Sequence, residues 1–87
     1  MYQRPRKAYT LVGVNGNAFA IMAYVVRAMK EVGFPVEKIN VYKSIATIKD
    51  YNWLLCKSIE MIEEVNDELE KQGLLIPDDD DYYEEDY

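Results

Sequence analysis

The spacing of apolar residues between Asp50 and Gly73 limits the fold of this chain more than any other feature of the sequence. Apolar residues recur there at intervals of three and four, which is the repeat of one face of an α-helix. Asp50 can accept hydrogen bonds from unpaired N–H groups of a first helical turn, and Gly73 favours the end of the helix at that position. We therefore predict a long amphipathic helix over residues 51–72. Its predicted buried face consists of Leu55, Ile59, Ile62, Val65 and Leu69.

A second helix is predicted over residues 18–32, between a possible cap at Asn15 or Asn17 and a stop at Gly33. Only three of its residues are charged, and its apolar residues fall on two faces. A short chain with few elements has little to cover both faces, so we expect the second face to form a homo-oligomer interface. The first face contains Phe19, Met22, Ala23, Val26 and Met29. The predicted interface contains Ile21, Tyr24, Val25, Ala28 and Val32.

The remaining segments are shorter. Residues 8–14 are rich in β-branched and aromatic types and predict a strand. Residues 36–48 fit both a helical stripe and a partial strand alternation, and we favour a helix. Residues 74–76 could pair with the predicted strand, or that strand could pair with its copy in another subunit.

The predicted fold class is therefore mostly α (α+β). It has a short N-terminal strand, about three helices of which the last is long and amphipathic, and a disordered acidic tail. Residues 1–77 are expected to form one small domain that begins with a basic arm at 1–7, and residues 78–87 the tail.

The absence of histidine and the presence of a single cysteine, Cys56, restrict the chemistry of the chain. One cysteine cannot form an internal disulfide, and a zinc site built from Cys and His cannot be assembled. Imidazole acid–base catalysis is also excluded, so we expect no enzyme activity, no metal and no cofactor. The sequence shows neither a membrane-length apolar run nor a signal peptide, which indicates a cytoplasmic protein without a membrane partner.

Charge is divided unevenly along the chain. Residues 1–57 carry nine basic and three acidic residues, a net charge of +6, whereas residues 58–87 carry one basic and thirteen acidic residues, a net charge of −12. Arg4, Arg6 and Lys7, with nearby tyrosines, could bind nucleic-acid phosphates and stack on bases, or could simply aid solubility.

The acidic tail has three possible roles: a solubility device, a docking peptide for a basic partner, or an internal competitor for a nucleic-acid surface. Its tyrosines favour docking slightly, because they could anchor a contact. The tail comprises Asp78, Asp79, Asp80, Asp81, Tyr82, Tyr83, Glu84, Glu85, Asp86 and Tyr87.

A turn before the second predicted helix is a candidate anion site, because backbone N–H groups can bind anions where a strand becomes a helix. It consists of Gly13, Asn15, Gly16 and Asn17, and it lacks both the P-loop and the dinucleotide-binding spacing. We favour a simple tight turn.

Three further features have a structural interpretation that we favour over a functional one. We expect the acidic residues Glu60, Glu63, Glu64 and Asp67 to form a solvated helix face, and Cys56 to be a small buried residue. We expect Trp53 to pack in the core.

The segment from Tyr9 to Tyr24, YTLVGVNGNAFAIMAY, together with the short pieces at 50–52 and 54–56, resembles a group of small uncharacterised proteins encoded by bacteriophages and prophages. The resemblance covers residues 9 to about 66 and transfers no site residue. It implies a binding role, either on a host component or in the phage particle.

We therefore expect a non-enzymatic, phage-type accessory or host-interaction protein that binds macromolecules as a homo-oligomer. It would bind itself and another protein, in the host cytoplasm or the particle. The alternatives are a nucleic-acid-binding protein with an autoinhibitory tail and a small-anion or nucleotide sponge.

Overall fold

A computed structural model of the chain describes residues 5–76 and shows a mostly helical fold. Along the chain it contains β1 (Arg6–Lys7), α1 (Ala18–Glu31), α2 (Val36–Ala46), α3 (Tyr51–Lys71) and β2 (Leu75–Ile76). The predicted fold class, with a short N-terminal strand before three helices of which the last is the longest, is confirmed. Arg4 of the predicted basic arm and the predicted tail at 78–87 lie outside the described residues.

The ends of the helices follow the predicted caps. The Asn17 side chain accepts a hydrogen bond from the Phe19 N–H at 2.8 Å, and the Asp50 side chain accepts one from the Trp53 N–H at 3.0 Å. At the other ends of α1 and α3, Gly33 and Gly73 have φ angles of 91° and 75°. Only glycine adopts this left-handed backbone without cost, so these positions end the helices where the sequence predicts.

The core lies between the three helices. Val25 and Met29 of α1 and Val65 and Leu69 of α3 have no exposed surface. On α2, Tyr42 is 3% exposed and points into the same core. The described helices include none with both the length and the apolar character needed to cross a bilayer.

The predicted homo-oligomer interface on α1 is part of this core. Ile21, Val25, Ala28 and Val32 are each at most 3% exposed, because α2 and α3 cover them within one chain. Tyr24 is half-buried, and its hydroxyl accepts a hydrogen bond from the Thr10 N–H at 2.9 Å. The long α3 supplies more cover than we expected, so four of the five predicted interface residues are core residues within one chain, and only Tyr24 keeps exposed surface. The other predicted face of α1 is less covered: Phe19 is 83% exposed, Ala23 is exposed and Val26 is half-buried, although Met29 of that face lies in the core.

The predicted strand over residues 8–14 is wrong. This segment forms a turn in which the Val14 N–H donates to the Leu11 carbonyl at 3.1 Å. The Asn66 side chain takes the place of a neighbouring strand: its Oδ1 accepts from the Tyr9 N–H at 2.8 Å, and its Nδ2 donates to the Tyr9 carbonyl at 3.0 Å. Because a side-chain amide satisfies both backbone groups of Tyr9, that residue needs no strand partner.

The N-terminal strand lies just before this segment. β1 pairs in parallel with β2, with Arg6 opposite Leu75 and Lys7 opposite Ile76. Part of the apolar piece at 74–76 therefore pairs with Arg6–Lys7, not with residues 8–14 as we considered.

The buried stripe of α3 is also shifted from its predicted position. Ile59 is 50% exposed, Leu55 is half-buried and Cys56 is exposed, so the prediction of a buried cysteine is wrong. The observed stripe passes through Ser58, about 100° around the helix from Ile59. Ser58 can lie in the core because its hydroxyl hydrogen-bonds the Tyr42 hydroxyl at 2.7 Å. The observed buried residues of α3 are Leu54, Ser58, Ile62, Val65 and Leu69.

Candidate functional site

A groove between α2 and α3 is the main candidate for a binding site. It has a volume of about 360 Å³. Its apolar surface includes Val41, which is 55% exposed, Ile45, which is 38% exposed, and the half-buried Met61. Exposed apolar residues that occur singly are normal, whereas these three side chains lie together along one groove and give a binding partner an apolar surface to contact.

The sequence of α2 explains why the groove is apolar. Ile39, Tyr42 and Ala46 follow the helical repeat and point into the core. Val41 and Ile45 are four residues apart and therefore share a second stripe, next to the buried one. One stripe is enough to attach α2 to the other helices, so the second remains in contact with solvent.

Two ion pairs flank the apolar part of the groove. The Lys38 Nζ lies 2.9 Å from the Glu64 Oε1, and the Lys57 Nζ lies 3.3 Å from the Glu60 Oε1. All four groups line the groove, which therefore has two positive and two negative charges. Because the pairs are partly exposed to water, each adds little to the stability of the fold. Their main effect is to place charges of both signs beside the apolar surface.

Trp53 lies beside the groove, close to its Lys57 end. Its ring has the ammonium groups of Lys49 and Lys57 at 4.9 and 4.5 Å from the ring centre, and its Nε1 donates to the Ile45 carbonyl at 2.7 Å. Cations over an indole face interact favourably with it. Trp53 is half-buried rather than a core residue. It joins the start of α3 to the end of α2 and holds Lys57 in place.

The predicted anion-binding turn makes several hydrogen bonds within the protein. The Asn15 side chain accepts from the Asn17 N–H at 2.9 Å, and the Asn17 side chain caps α1. The Gly16 carbonyl accepts a hydrogen bond from the Tyr51 hydroxyl, and Gly13 has a φ of 86°. These four residues therefore do come together, as a tight turn and helix cap. The Asn17 N–H, one of the groups that could bind an anion there, already donates to the Asn15 side chain.

Arg6 of the predicted basic arm is held against the protein. Its guanidinium donates to the Tyr9 hydroxyl at 2.7 Å and lies 3.7 Å from a Glu31 carboxylate oxygen. Burial, and then the hydrogen bond to Glu31, raises the pKa of Tyr9, so its hydroxyl stays protonated and donates to that carboxylate. Lys7 is exposed.

The described residues taken together carry no excess of either charge. Residues 5–76 contain nine basic and nine acidic residues, a net charge of zero. Lys38 and Lys57, from the basic part of the chain, pair with Glu64 and Glu60 from the acidic part. The part of the chain that the structure describes therefore lacks the strongly positive net charge that nucleic-acid binding favours.

The acidic residues of α3 lie on the outside of the helix as expected, because Glu60, Glu63, Glu64 and Asp67 are all exposed. Within residues 5–76, no three or more acidic or cysteine side chains are placed so that they could hold a metal ion.

The groove residues were not identified from the sequence, although a signal was present. Residues 36–48 contain more apolar residues than one helical stripe requires, and this excess made the segment fit a strand as well as a helix. The second stripe of α2 explains that ambiguity. In comparisons with known proteins, no family model, no curated protein and no solved structure matches the chain.

Proposed function

We propose that this chain is a non-enzymatic accessory protein of phage type that acts by binding protein, and that the α2–α3 groove is its binding surface. The observation that carries the proposal is the exposed apolar stripe of Val41 and Ile45 beside Met61, flanked by ion pairs. Protein interfaces commonly have an apolar centre and a polar rim. A host protein, a particle protein or a second copy of the chain could supply the other side, in the host cytoplasm or in the particle.

Nucleic-acid binding is the weaker candidate. It depended on the basic first part of the chain, and two lysines of that part are paired with glutamates of α3. A nucleotide sponge at residues 13–17 is weaker still, because the Asn17 N–H already has an acceptor within the fold, the Asn15 side chain.

The proposal can be tested with a photo-crosslinking amino acid at position 41 and, as the control, at position 36. Both positions hold valine, both are on α2, and the side chains are 55% and 62% exposed, but only Val41 lines the groove. We expect position 41 to give a protein adduct of constant mass in cells that produce the chain, and position 36 to give little. Adding Ile45→Ser should weaken the adduct, because it removes apolar surface next to the probe.

Equal labelling from positions 41 and 36, or no adduct from either, would contradict the proposed groove. An adduct that persists unchanged with Ile45→Ser would show that the contact does not depend on the apolar stripe.

A further inference from the structure

We infer that the protein bound in the groove is a second copy of this chain, arranged by a two-fold axis so that the two grooves face each other. The inference rests on the proposed function, because it names the partner of the same surface. Three properties of the groove support it: its charge order, its neutral balance and the position of its apolar residues.

The charge order along α3 is the first property. Lys57 and Glu64 both line the groove and are seven residues apart, so about two helical turns, or roughly 10 Å, separate them. Their midpoint falls between Glu60 and Met61. Consider a two-fold axis that lies between the two copies, perpendicular to α3 and level with this midpoint. It places α3 of the second copy antiparallel to α3 of the first. It therefore places Lys57 of one copy opposite Glu64 of the second copy, twice in each dimer.

The same axis places apolar surface at the centre. On α2, Lys38 and Ile45 line the two ends of the groove, and Val41 lies near their midpoint. Val41 of one copy then lies opposite Val41 of the second, with Met61 beside it. Glu60 also lies close to the axis, beside Glu60 of the second copy, and stays paired with Lys57 of its own chain. Apolar groups near the axis, with the Lys57–Glu64 pairs at equal distances from it, fit an interface in which like patches meet.

The charge balance favours a second copy over an acidic or basic partner. The groove has two lysines and two glutamates, so it offers no net attraction to a strongly charged protein. Its reversed copy offers opposite charges to Lys57 and Glu64, the two groove residues of α3 that lie farthest from the axis. Charge complementarity of this kind determines which partner binds and in which register, even where each pair adds little affinity.

Sedimentation velocity on the full chain, over about 1–100 µM, tests the inference. We expect a monomer of 10.2 kDa at low concentration and a species of twice that mass at high concentration. Lys57→Glu and Glu64→Lys should each weaken the dimer by about tenfold or more, because each creates two pairs of like charges across the axis. The double variant restores both pairs and should dimerise like the original chain. An equimolar mixture of the two single variants should form mixed dimers.

Lys43→Glu is the matched control, since it makes the same charge change at an exposed α2 position that does not line the groove. A second pair, Val41→Ser and Val36→Ser, tests the apolar centre without changing charge, and only Val41→Ser should weaken the dimer. Circular dichroism establishes that each variant is folded.

A chain that stays monomeric throughout the concentration range would overturn the inference. So would a dimer that Lys57→Glu and Lys43→Glu weaken equally, or one that the double variant fails to restore. If the chain is monomeric but position 41 crosslinks to a different protein, the proposed function stands and the second copy is the wrong partner. If the chain is monomeric and position 41 gives no crosslink, both the inference and the proposed function fail.

Discussion

The hydroxyls of Tyr42 and Ser58 should stabilise the fold as a hydrogen-bonded pair. The free-energy cost of removing one should therefore depend on whether the other is present. Ser58 has no exposed surface, Tyr42 is 3% exposed, and their oxygens are 2.7 Å apart. Tyr42→Phe and Ser58→Ala each remove one partner and leave the other hydroxyl in the core. The double variant removes both. These three proteins and the original chain form a double-mutant cycle.

The expected free-energy differences follow from this burial. A buried polar group that loses its partner costs about 1–3 kcal/mol, whereas replacing both partners by apolar groups can be nearly neutral. We expect each single variant to lose about 1–2 kcal/mol of unfolding free energy, and the double variant to lose at least about 1 kcal/mol less than the sum. In a domain of this size, 1 kcal/mol corresponds to a change in Tm of roughly 4–8 °C.

Urea and thermal unfolding, followed by circular dichroism at neutral pH, measure the cycle. Tyr51→Phe is a control, because that hydroxyl also makes a hydrogen bond, to the Gly16 carbonyl, but Tyr51 is 42% exposed. Water can replace its partner, so the loss should be smaller. If the sum of the two single losses equals the loss of the double variant to within about 0.3 kcal/mol, the two hydroxyls do not stabilise each other and the reasoning is wrong.

Three other predictions concern the fold. Asp50→Ala should lower the unfolding free energy by about 1 kcal/mol in urea denaturation, because it removes the N-cap of α3. Asn66→Ala should speed hydrogen exchange at the Tyr9 amide, which loses its acceptor, while exchange in α1 stays slow. Burial raises the pKa of Tyr42, so the folded value lies above the unfolded one. The contribution of the protonated Tyr42 hydroxyl to the unfolding free energy is complete below about pH 10 and falls as pH rises through the folded pKa. Tyr42→Phe should therefore lose less unfolding free energy at alkaline pH than the original chain.

Each of these has a contrary result. Unchanged stability of Asp50→Ala would mean that water caps α3 equally well. Unchanged exchange at Tyr9 would mean that other contacts hold the segment. An identical alkaline loss in Tyr42→Phe would assign the effect to other tyrosines.

Residues with a local physical signal were predictable from the sequence. Asn17, Asp50, Gly33 and Gly73 mark helix ends through hydrogen bonds or backbone angles that involve only neighbouring residues. The three helices were therefore placed to within about two residues.

Errors arose where distant residues decide the outcome. Tyr9 left the predicted strand because Asn66, far along the chain, satisfies its backbone groups. Ser58 entered the core because Tyr42 supplies a hydrogen bond, and this moved Ile59 and Cys56 to the surface. Neither pairing has a signal in the nearby sequence.

The candidate site was missed for a related reason. The two apolar faces of residues 18–32 indicated that some apolar side chains would lie outside the core, but the sequence did not show which ones. Our prediction assigned them to the inner face of α1, whereas some of them lie on α2, at Val41 and Ile45.

The pairing of β1 with β2 has a consequence for how the chain folds during synthesis. It joins the first and last elements that the structure describes, residues 6–7 and 75–76, so it cannot form until residue 76 has left the ribosome. The helices can assemble from contacts closer in sequence, and contacts of long separation form more slowly. The parallel strand pair should therefore be the final part to form, and a product that stops at Lys71 would keep three helices but leave its N-terminal residues without their strand partner.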